Sequence, residues 1–101
     1  MQILLVLFKS GLPTSEVQRL FEERTERYRR VKGLIQKFYV RDEATDRVGG
    51  IYIFDSKKNL EAFRSSDLAK SIGDAFKFVE PPTRQVFDVV LVLREEKQSL
   101  R

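Results

Sequence analysis

Residues 33–54, GLIQKFYVRDEATDRVGGIYIF, read as two β-strands joined by a polar loop. The first predicted strand covers residues 34–41, the loop covers 42–46 and the second strand covers 47–54. Apolar residues fall on both parities of each strand, so both faces of the resulting sheet need a cover. The adjacent Gly49 and Gly50 indicate a bulge or a close approach of another group to the backbone.

The flanking segments supply the rest of the fold. An apolar run over residues 2–9 predicts a first strand, and helical spacing over 15–31, with Thr14 as N-cap, predicts an amphipathic helix. After residue 54 we expect a second helix that breaks near 65–67, a short strand at 76–79 and a last strand over 84–93. The order β-α-β-β-α-β predicts an α+β, ferredoxin-like single domain over 1–101, with 94–101 as a frayed tail.

The number of helices leaves one face of the predicted sheet without a cover. Two helices shield one face of a four-stranded sheet, yet the first, third and fourth strands are apolar on the other face as well. Such a patch in water would exceed what monomers usually expose. The sequence therefore predicts a homodimer in which two sheets pack face to face around a two-fold axis.

Composition excludes several classes of chemistry. The chain has no cysteine and no histidine, which removes disulfides, thiolate nucleophiles and the commonest general base and metal ligand. No spacing typical of a metal site is present, so we expect none. The net charge of +4 is mild, and its densest basic group, residues 27–32, lies at the end of a predicted helix, where cations complement the dipole. We expect a cytoplasmic protein that binds no membrane, since no run is long enough to span one.

Polar side chains within the apolar strands are the candidate site: Gln36, Lys37, Tyr39, Tyr52 and Asp88. A buried charge is costly unless it is paired or hydrogen-bonded, which makes the lysine and the aspartate informative. In the functional interpretation these residues line a pocket enclosed between the two sheets of the dimer. In the structural one, Lys37 reaches water at an edge and Asp88 satisfies a local partner. The sequence does not fix which parity of residues 34–41 faces the helices.

Three segments carry a resemblance to a known family. Gly33-Leu34 with Lys37, the GGIYIF segment over 49–54 and the VFDV segment over 86–89 resemble the YdhR-type putative monooxygenases. These belong to the dimeric α/β-barrel superfamily, with the antibiotic biosynthesis monooxygenases. The resemblance implies a dimeric α/β barrel with a ligand cavity between sheet and helices or within the barrel. The family commonly has tryptophan where this chain has Gln36.

The resemblance implies a cofactor-independent monooxygenase that uses O₂ as co-substrate on an aromatic or polyketide-like small molecule. The catalytic candidates are then Lys37, Tyr52 and Asp88. The substrate-binding candidates are Gln36, Tyr39, Gly50 and Phe54. The alternative is a non-catalytic small-molecule-binding or stress-response dimer on the same scaffold.

A third candidate function is nucleic-acid binding, because RNA-recognition motifs share this order of elements. Their third strand carries stacking aromatics at fixed positions. The segment RVGGIYIF, residues 47–54, has Gly49 and Ile51 at those positions. We therefore expect no nucleic-acid partner.

Overall fold

The computed structural model describes residues 1–94, so most of the expected tail lies outside the described residues. The elements follow the predicted order, with the second helix divided into three short segments. They are β1 Gln2–Phe8, α1 Thr14–Arg29, β2 Leu34–Asp42, β3 Arg47–Phe54, α2 Lys57–Arg64, α3 Asp67–Lys70, α4 Ile72–Phe76 and β4 Thr83–Asp88.

The four strands form one antiparallel sheet in the order β2-β3-β1-β4. This is the ferredoxin-like arrangement, and that prediction is confirmed. Register is regular through Gly49 and Gly50, so the bulge expected there is wrong. The irregularity lies in β2 instead, between Leu34 and Gln36, where Ile35 is the extra residue. That bulge fixes the parity of the rest of β2.

One face of the sheet packs on the helices and forms the core. Leu4, Val6 and Phe8 of β1 are buried there, and paired residues on β3 lie on the same face. Residues from α1, α2 and α4 complete the buried cluster: Val17, Tyr28, Leu60, Phe63, Ile72 and Phe76. The helix cover and this sheet face therefore supply the single core of the chain.

The first helix starts at a different cap from the expected one, whereas the break in the second helix lies where it was expected. Thr14 is the first residue of α1 rather than its N-cap, which is Pro13, and no side chain caps that end. The expected break in the second helix is confirmed, because α2 ends at Arg64 and α3 begins at Asp67 with the Ser66 hydroxyl accepting from the amide of Ala69. The expected strand at 76–79 is reduced to a single bridge between Ser10 and Phe78.

The last strand is shorter than the apolar pattern predicts. β4 ends at Asp88, which pairs with Gln2 of β1, and the amide of Val89 donates to the carbonyl of Met1. Residues 90–93 lie beyond the end of β1, the neighbour of β4 in the sheet, so no strand within residues 1–94 pairs with them. Their apolar side chains are exposed, Val90 to 93%. Hydrophobicity marks a strand but does not show where its partner ends.

The second face of the sheet has no helix over it. Ile3, Leu5, Leu7, Val40 and Ile51 are half-buried on this face, and Phe38 and Phe87 remain 45% and 47% exposed. The predicted two-faced apolar character of the sheet is therefore present in this chain.

Candidate functional site

Lys37 is the centre of the candidate site, and its side chain points toward the helices. It pairs with Tyr52 in the register of β2 and β3, and Tyr52 lies on the core face. The Lys37 ammonium is surrounded by aromatic rings, at 3.2 Å from the ring centroid of Tyr28, 4.2 Å from Tyr39 and 4.7 Å from Tyr52. The resemblance implied a ligand cavity either between sheet and helices or within the barrel, and Lys37, Tyr39 and Tyr52 lie on the side of the sheet that faces the helices. The interpretation that places these three side chains between the two sheets of a dimer is therefore wrong, because Ile35 is an extra residue in β2 and shifts the register there.

The environment of Lys37 favours the neutral amine. Burial, with the Arg24 guanidinium as a second cause, lowers its pKa to about 7. A cation–π contact at a desolvated site contributes roughly 2 kcal/mol, less than the several kcal/mol that an ammonium loses on burial. Within residues 1–94 no carboxylate forms an ion pair with this amine. Lys37 therefore exchanges a proton near neutral pH.

Tyr52 and Tyr28 form the buried wall of the site. Both side chains are almost inaccessible to water, and their ring centroids lie 6.0 Å apart. Burial, with Tyr28 as a further cause, raises the pKa of Tyr52 well above its usual value. Tyr52 therefore stays protonated at neutral pH and acts as a hydroxyl donor rather than a base.

Tyr39 is positioned by a short hydrogen-bond chain. The Thr25 hydroxyl lies 2.8 Å from the carbonyl of Phe21, to which it donates, and 3.0 Å from the Tyr39 hydroxyl. Since the proton of Thr25 is used on Phe21, Tyr39 must donate to Thr25. Burial raises the pKa of Tyr39. The phenol is thus held with its oxygen lone pairs free to accept a hydrogen bond from a bound molecule.

Arg24 and Tyr28 belong to the site although sequence reasoning assigned neither to it. Arg24 is only 5% exposed and donates to the Ser71 hydroxyl at 2.9 Å. It occupies the inward slot of α1 between Phe21 and Tyr28, where helical spacing expects an apolar residue. The sequence does contain a sign of this arrangement: Arg24 interrupts the apolar stripe of α1, and a cation at such a position is buried together with the stripe.

The two glycines of β3 each accommodate a close approach, as one of the two sequence interpretations expected. A Cβ at Gly49 would lie 1.8 Å from the Val6 carbonyl oxygen of β1. A Cβ at Gly50 would lie 3.0 Å from Cε of Lys37 and 3.1 Å from Cε1 of Tyr52. The absence of a side chain at Gly49 therefore allows β1 and β3 to pair, whereas its absence at Gly50 leaves space for the Lys37 side chain.

Lys37 lies between a small cavity and an open groove. The cavity, about 10 Å³, is bounded by Lys37, Tyr52, Gly50, Arg24 and residues of the core. The groove, about 420 Å³, runs between α1 and β2 and falls in the range of small-molecule sites. Its lining comprises Thr25, Tyr28, Arg29, Leu34, Ile35, Gln36, Lys37 and Tyr39. A ligand in the groove would therefore meet the lysine and Tyr39 directly.

A second cavity of about 250 Å³ opens on the other side of the core. Leu4, Val6, Phe63 and Ile72 form its apolar floor. Three cations, Arg64, Lys70 and Arg84, also line it. An apolar floor beside positive charge suits a small molecule that carries an anionic group.

Three of the predicted site residues lie apart from Lys37. Asp88 is exposed at the opposite edge of the sheet, where it accepts a hydrogen bond from Gln2, so the charge expected to be buried is in water. Phe54 is fully buried in the core, against Phe63. Gln36 faces the sheet side opposite Lys37, although it borders the groove, and it accepts from the Lys37 amide at 2.9 Å. Lys37, Tyr39, Gly50 and Tyr52 are brought together.

Two negative findings bear on the class of site. Within residues 1–94, no three acidic side chains converge as a group able to hold a metal ion. None of the helices described is long and apolar enough to cross a membrane.

Comparisons with known proteins point to one family. The family described as "Putative mono-oxygenase ydhR" matches residues 3–97. Three solved structures are similar. Rv0793 from Mycobacterium tuberculosis is 11% identical (TM-score 0.70), covering 93% of this chain and 100% of its own. A putative antibiotic biosynthesis monooxygenase from Caulobacter crescentus CB15 is 15% identical (TM-score 0.70), covering 89% of each chain.

The third, a putative antibiotic biosynthesis monooxygenase from Nitrosomonas europaea, is 15% identical, with a TM-score of 0.64, and covers 90% of this chain and 100% of its own. A search of curated proteins finds no match. At such low identities the structural similarities show a shared fold alone.

Proposed function

Because this chain belongs to the ydhR family of putative mono-oxygenases, we propose that it oxidises a small aromatic or polyketide-like molecule with O₂ as co-substrate and without a bound cofactor. The observation that carries the proposal is Lys37, a half-buried amine with a pKa of about 7 at the floor of an open groove. An amine of that pKa is available as a general base at neutral pH, where an ordinary lysine is protonated.

The first step of the proposed reaction is proton transfer. A phenol in the groove gives its hydroxyl proton to the neutral Lys37 amine, and the resulting ammonium stabilises the phenolate. The Tyr39 hydroxyl, which donates its own proton to Thr25, accepts a hydrogen bond from a second polar group of the substrate and so orients it. The tyrosine rings around the amine exclude water, which strengthens the contact between the two charges.

The second step is reaction of the electron-rich anion with O₂. One electron passes from the phenolate to O₂, the two radicals combine at a ring carbon, and a hydroperoxide forms once a proton is taken up. Loss of water from the hydroperoxide leaves a quinone, so one oxygen atom enters the product and the other leaves as water. The two electrons that reduce the second oxygen atom to water come from the substrate itself.

The test is oxygen uptake with a hydroxyanthracene. We expect the wild type to consume O₂ with a rate that rises with pH through a midpoint near the Lys37 pKa of about 7. Lys37→Ala should reduce the rate at least ~100-fold, as for loss of a general base. Lys32→Ala, which removes an exposed lysine outside the groove, should keep it. Substrate binding without oxygen uptake in the wild type would refute this reaction.

The second cavity favours an alternative function, non-catalytic binding of a small molecule. Its apolar floor and its three cations form a site without Lys37. In that case small aromatic acids stabilise the protein against heat, the corresponding neutral alcohols do so less, and no ligand is turned over. A thermal-shift series measures both effects.

The proposed quaternary structure is a homodimer that covers the open face of the sheet. Phe38 and Phe87 lie at opposite edges of this face, each nearly half exposed, with half-buried aliphatic residues between them. The unpaired apolar residues 90–93 add to the exposed surface. A second copy is the economical occupant, because a two-fold axis presents the same apolar face to itself.

A further inference from the structure

The Lys37 amine has features that proton transfer alone does not require. It is enclosed by three aromatic rings, and within the described residues it has no acidic partner. The buried Arg24 guanidinium lines the same small cavity. A lysine in an apolar pocket beside a second cation is one of the arrangements that activate an amine as a nucleophile.

The groove next to the amine determines what can reach it. Leu34 and Ile35 contribute apolar surface, and Thr25 and Tyr39 contribute hydroxyls. The volume of about 420 Å³ is toward the small end of ligand sites and suits a small aromatic molecule. Gly50 leaves the space beside Cε of Lys37 that a side chain would fill.

We propose that Lys37 binds small aromatic aldehydes or ketones covalently, as an imine, from the groove between α1 and β2. The nitrogen lone pair forms a bond to the carbonyl carbon, and one N–H proton moves to the carbonyl oxygen. The carbinolamine then loses its hydroxyl group and the second N–H proton as water, leaving a carbon–nitrogen double bond. No oxidant or reductant takes part.

This inference uses the same site as the proposed oxidation but does not depend on it. Polyketide-like molecules carry ketones as well as phenols, so imine formation gives the site a second means of holding them. Nothing in the reaction consumes O₂. A failure of one activity therefore leaves the other measurable.

The experiment is reductive trapping. The protein is mixed with naphthaldehyde and cyanoborohydride near neutral pH, and the modified lysine is identified by peptide mass spectrometry. Surface lysines with a pKa of about 10.4 are neutral in roughly one molecule in a thousand at about pH 7.4. Lys37, with a pKa of about 7, is largely neutral there, so we expect it to be labelled at least ~100-fold faster than the exposed lysines.

Matched variants separate a reactive site from general labelling. Lys37→Arg should abolish the fast phase, whereas Lys32→Arg should leave it unchanged. Gly50→Ala keeps the amine but crowds its Cε, and should slow the fast phase. The rate should also follow pH with a midpoint near 7 rather than near 10.

The inference is overturned if label accumulates on the N-terminus and exposed lysines while Lys37 stays unmodified in the folded wild type. Oxygen uptake by hydroxyanthracene is measured on the same preparation without cyanoborohydride. Trapping without oxygen uptake supports the imine and counts against the oxidation. Oxygen uptake without trapping does the reverse.

Discussion

At the scale of the residue, the main feature is Lys37, whose surroundings in the folded chain destabilise its charged ammonium form. Lys37 is enclosed by tyrosines and lies in one cavity with Arg24, so its ammonium is not neutralised by any carboxylate of residues 1–94. Replacing an unpaired buried charge with an apolar group of similar size is often neutral or stabilising. The site therefore costs stability, and that cost is measurable through pH.

The first prediction concerns the pH dependence of stability. The Lys37 pKa falls from 10.5 in the unfolded chain to about 7 in the fold, so between these values the unfolded chain binds more protons. The free energy of unfolding then rises with pH, by at most ~1.4 kcal/mol per unit. Lys37→Met lacks this contribution. We expect it to exceed the wild type in stability at about pH 6, and the difference to shrink by about 2 to 3 kcal/mol near pH 9.

Urea denaturation of both proteins at the two pH values measures that difference. Contributions from groups that do not contact residue 37 are the same in both proteins and cancel. A constant offset between variant and wild type across this range would mean that Lys37 keeps an ordinary pKa in the fold.

A second prediction concerns Arg24, the next cause of the lowered Lys37 pKa. Arg24→Met removes a like charge from the cavity, so the pKa of Lys37 should rise. The midpoint of aldehyde labelling against pH reports that rise directly. Arg27→Met, an exposed arginine on the same helix, is the control and should leave the midpoint in place. An unchanged midpoint in Arg24→Met would show that burial alone sets the pKa.

At the scale of the element, β3 shows that two neighbouring glycines do different work. The Val6 carbonyl of β1 occupies the place of a side chain at Gly49, and backbone there cannot move without opening the β1–β3 pair. At Gly50 the nearest atoms belong to the Lys37 and Tyr52 side chains, which can shift by a few tenths of an ångström. The first glycine supports the sheet and the second supports the site.

The third prediction follows from this contrast. Gly49→Ala should destabilise the protein by more than about 3 kcal/mol or prevent folding, the upper range for overpacking. Gly50→Ala should fold with a smaller loss, about 1 to 2 kcal/mol, and with slower labelling of Lys37. Circular dichroism during thermal unfolding compares the two. Equal losses would contradict the division of roles.

At the scale of the whole molecule, one layer of helices covers one side of a sheet that is apolar on both. Phe38 and Phe87 mark the open side, and the unpaired residues 90–93 extend the apolar surface. The surface that the proposed partner would cover is this open side of the sheet.

The fourth prediction tests the dimer. Phe87→Glu puts a charge on the open face, and we expect it to shift the protein from dimer to monomer in analytical ultracentrifugation. Val79→Glu is the matched control, since Val79 is an exposed apolar residue outside the sheet strands, and it should remain dimeric. A wild type that sediments as a monomer at every concentration would remove the homodimer from the proposal.

Sequence alone determined the order of elements, the loop and strands of residues 33–54, the break near residues 65–67 and the two-faced sheet, because each depends on local periodicity and turn residues. It also singled out Lys37, Tyr39, Gly50 and Tyr52, since polar groups and glycines interrupt apolar strands there. Local patterns carry this information because each residue's preference acts within a few positions of the chain.

Only the tertiary structure decided which way those residues face. A single extra residue, Ile35, reverses the parity of β2 and directs Lys37 to the helices, and no local pattern shows it. The same holds for β4, which ends at Asp88 because pairing with β1 ends there. Arg24, Tyr28 and Lys37 lie on different elements, so their meeting depends on how α1 packs on the sheet. Register and packing depend on residues far apart in the chain, and they determine which side chains meet at the site.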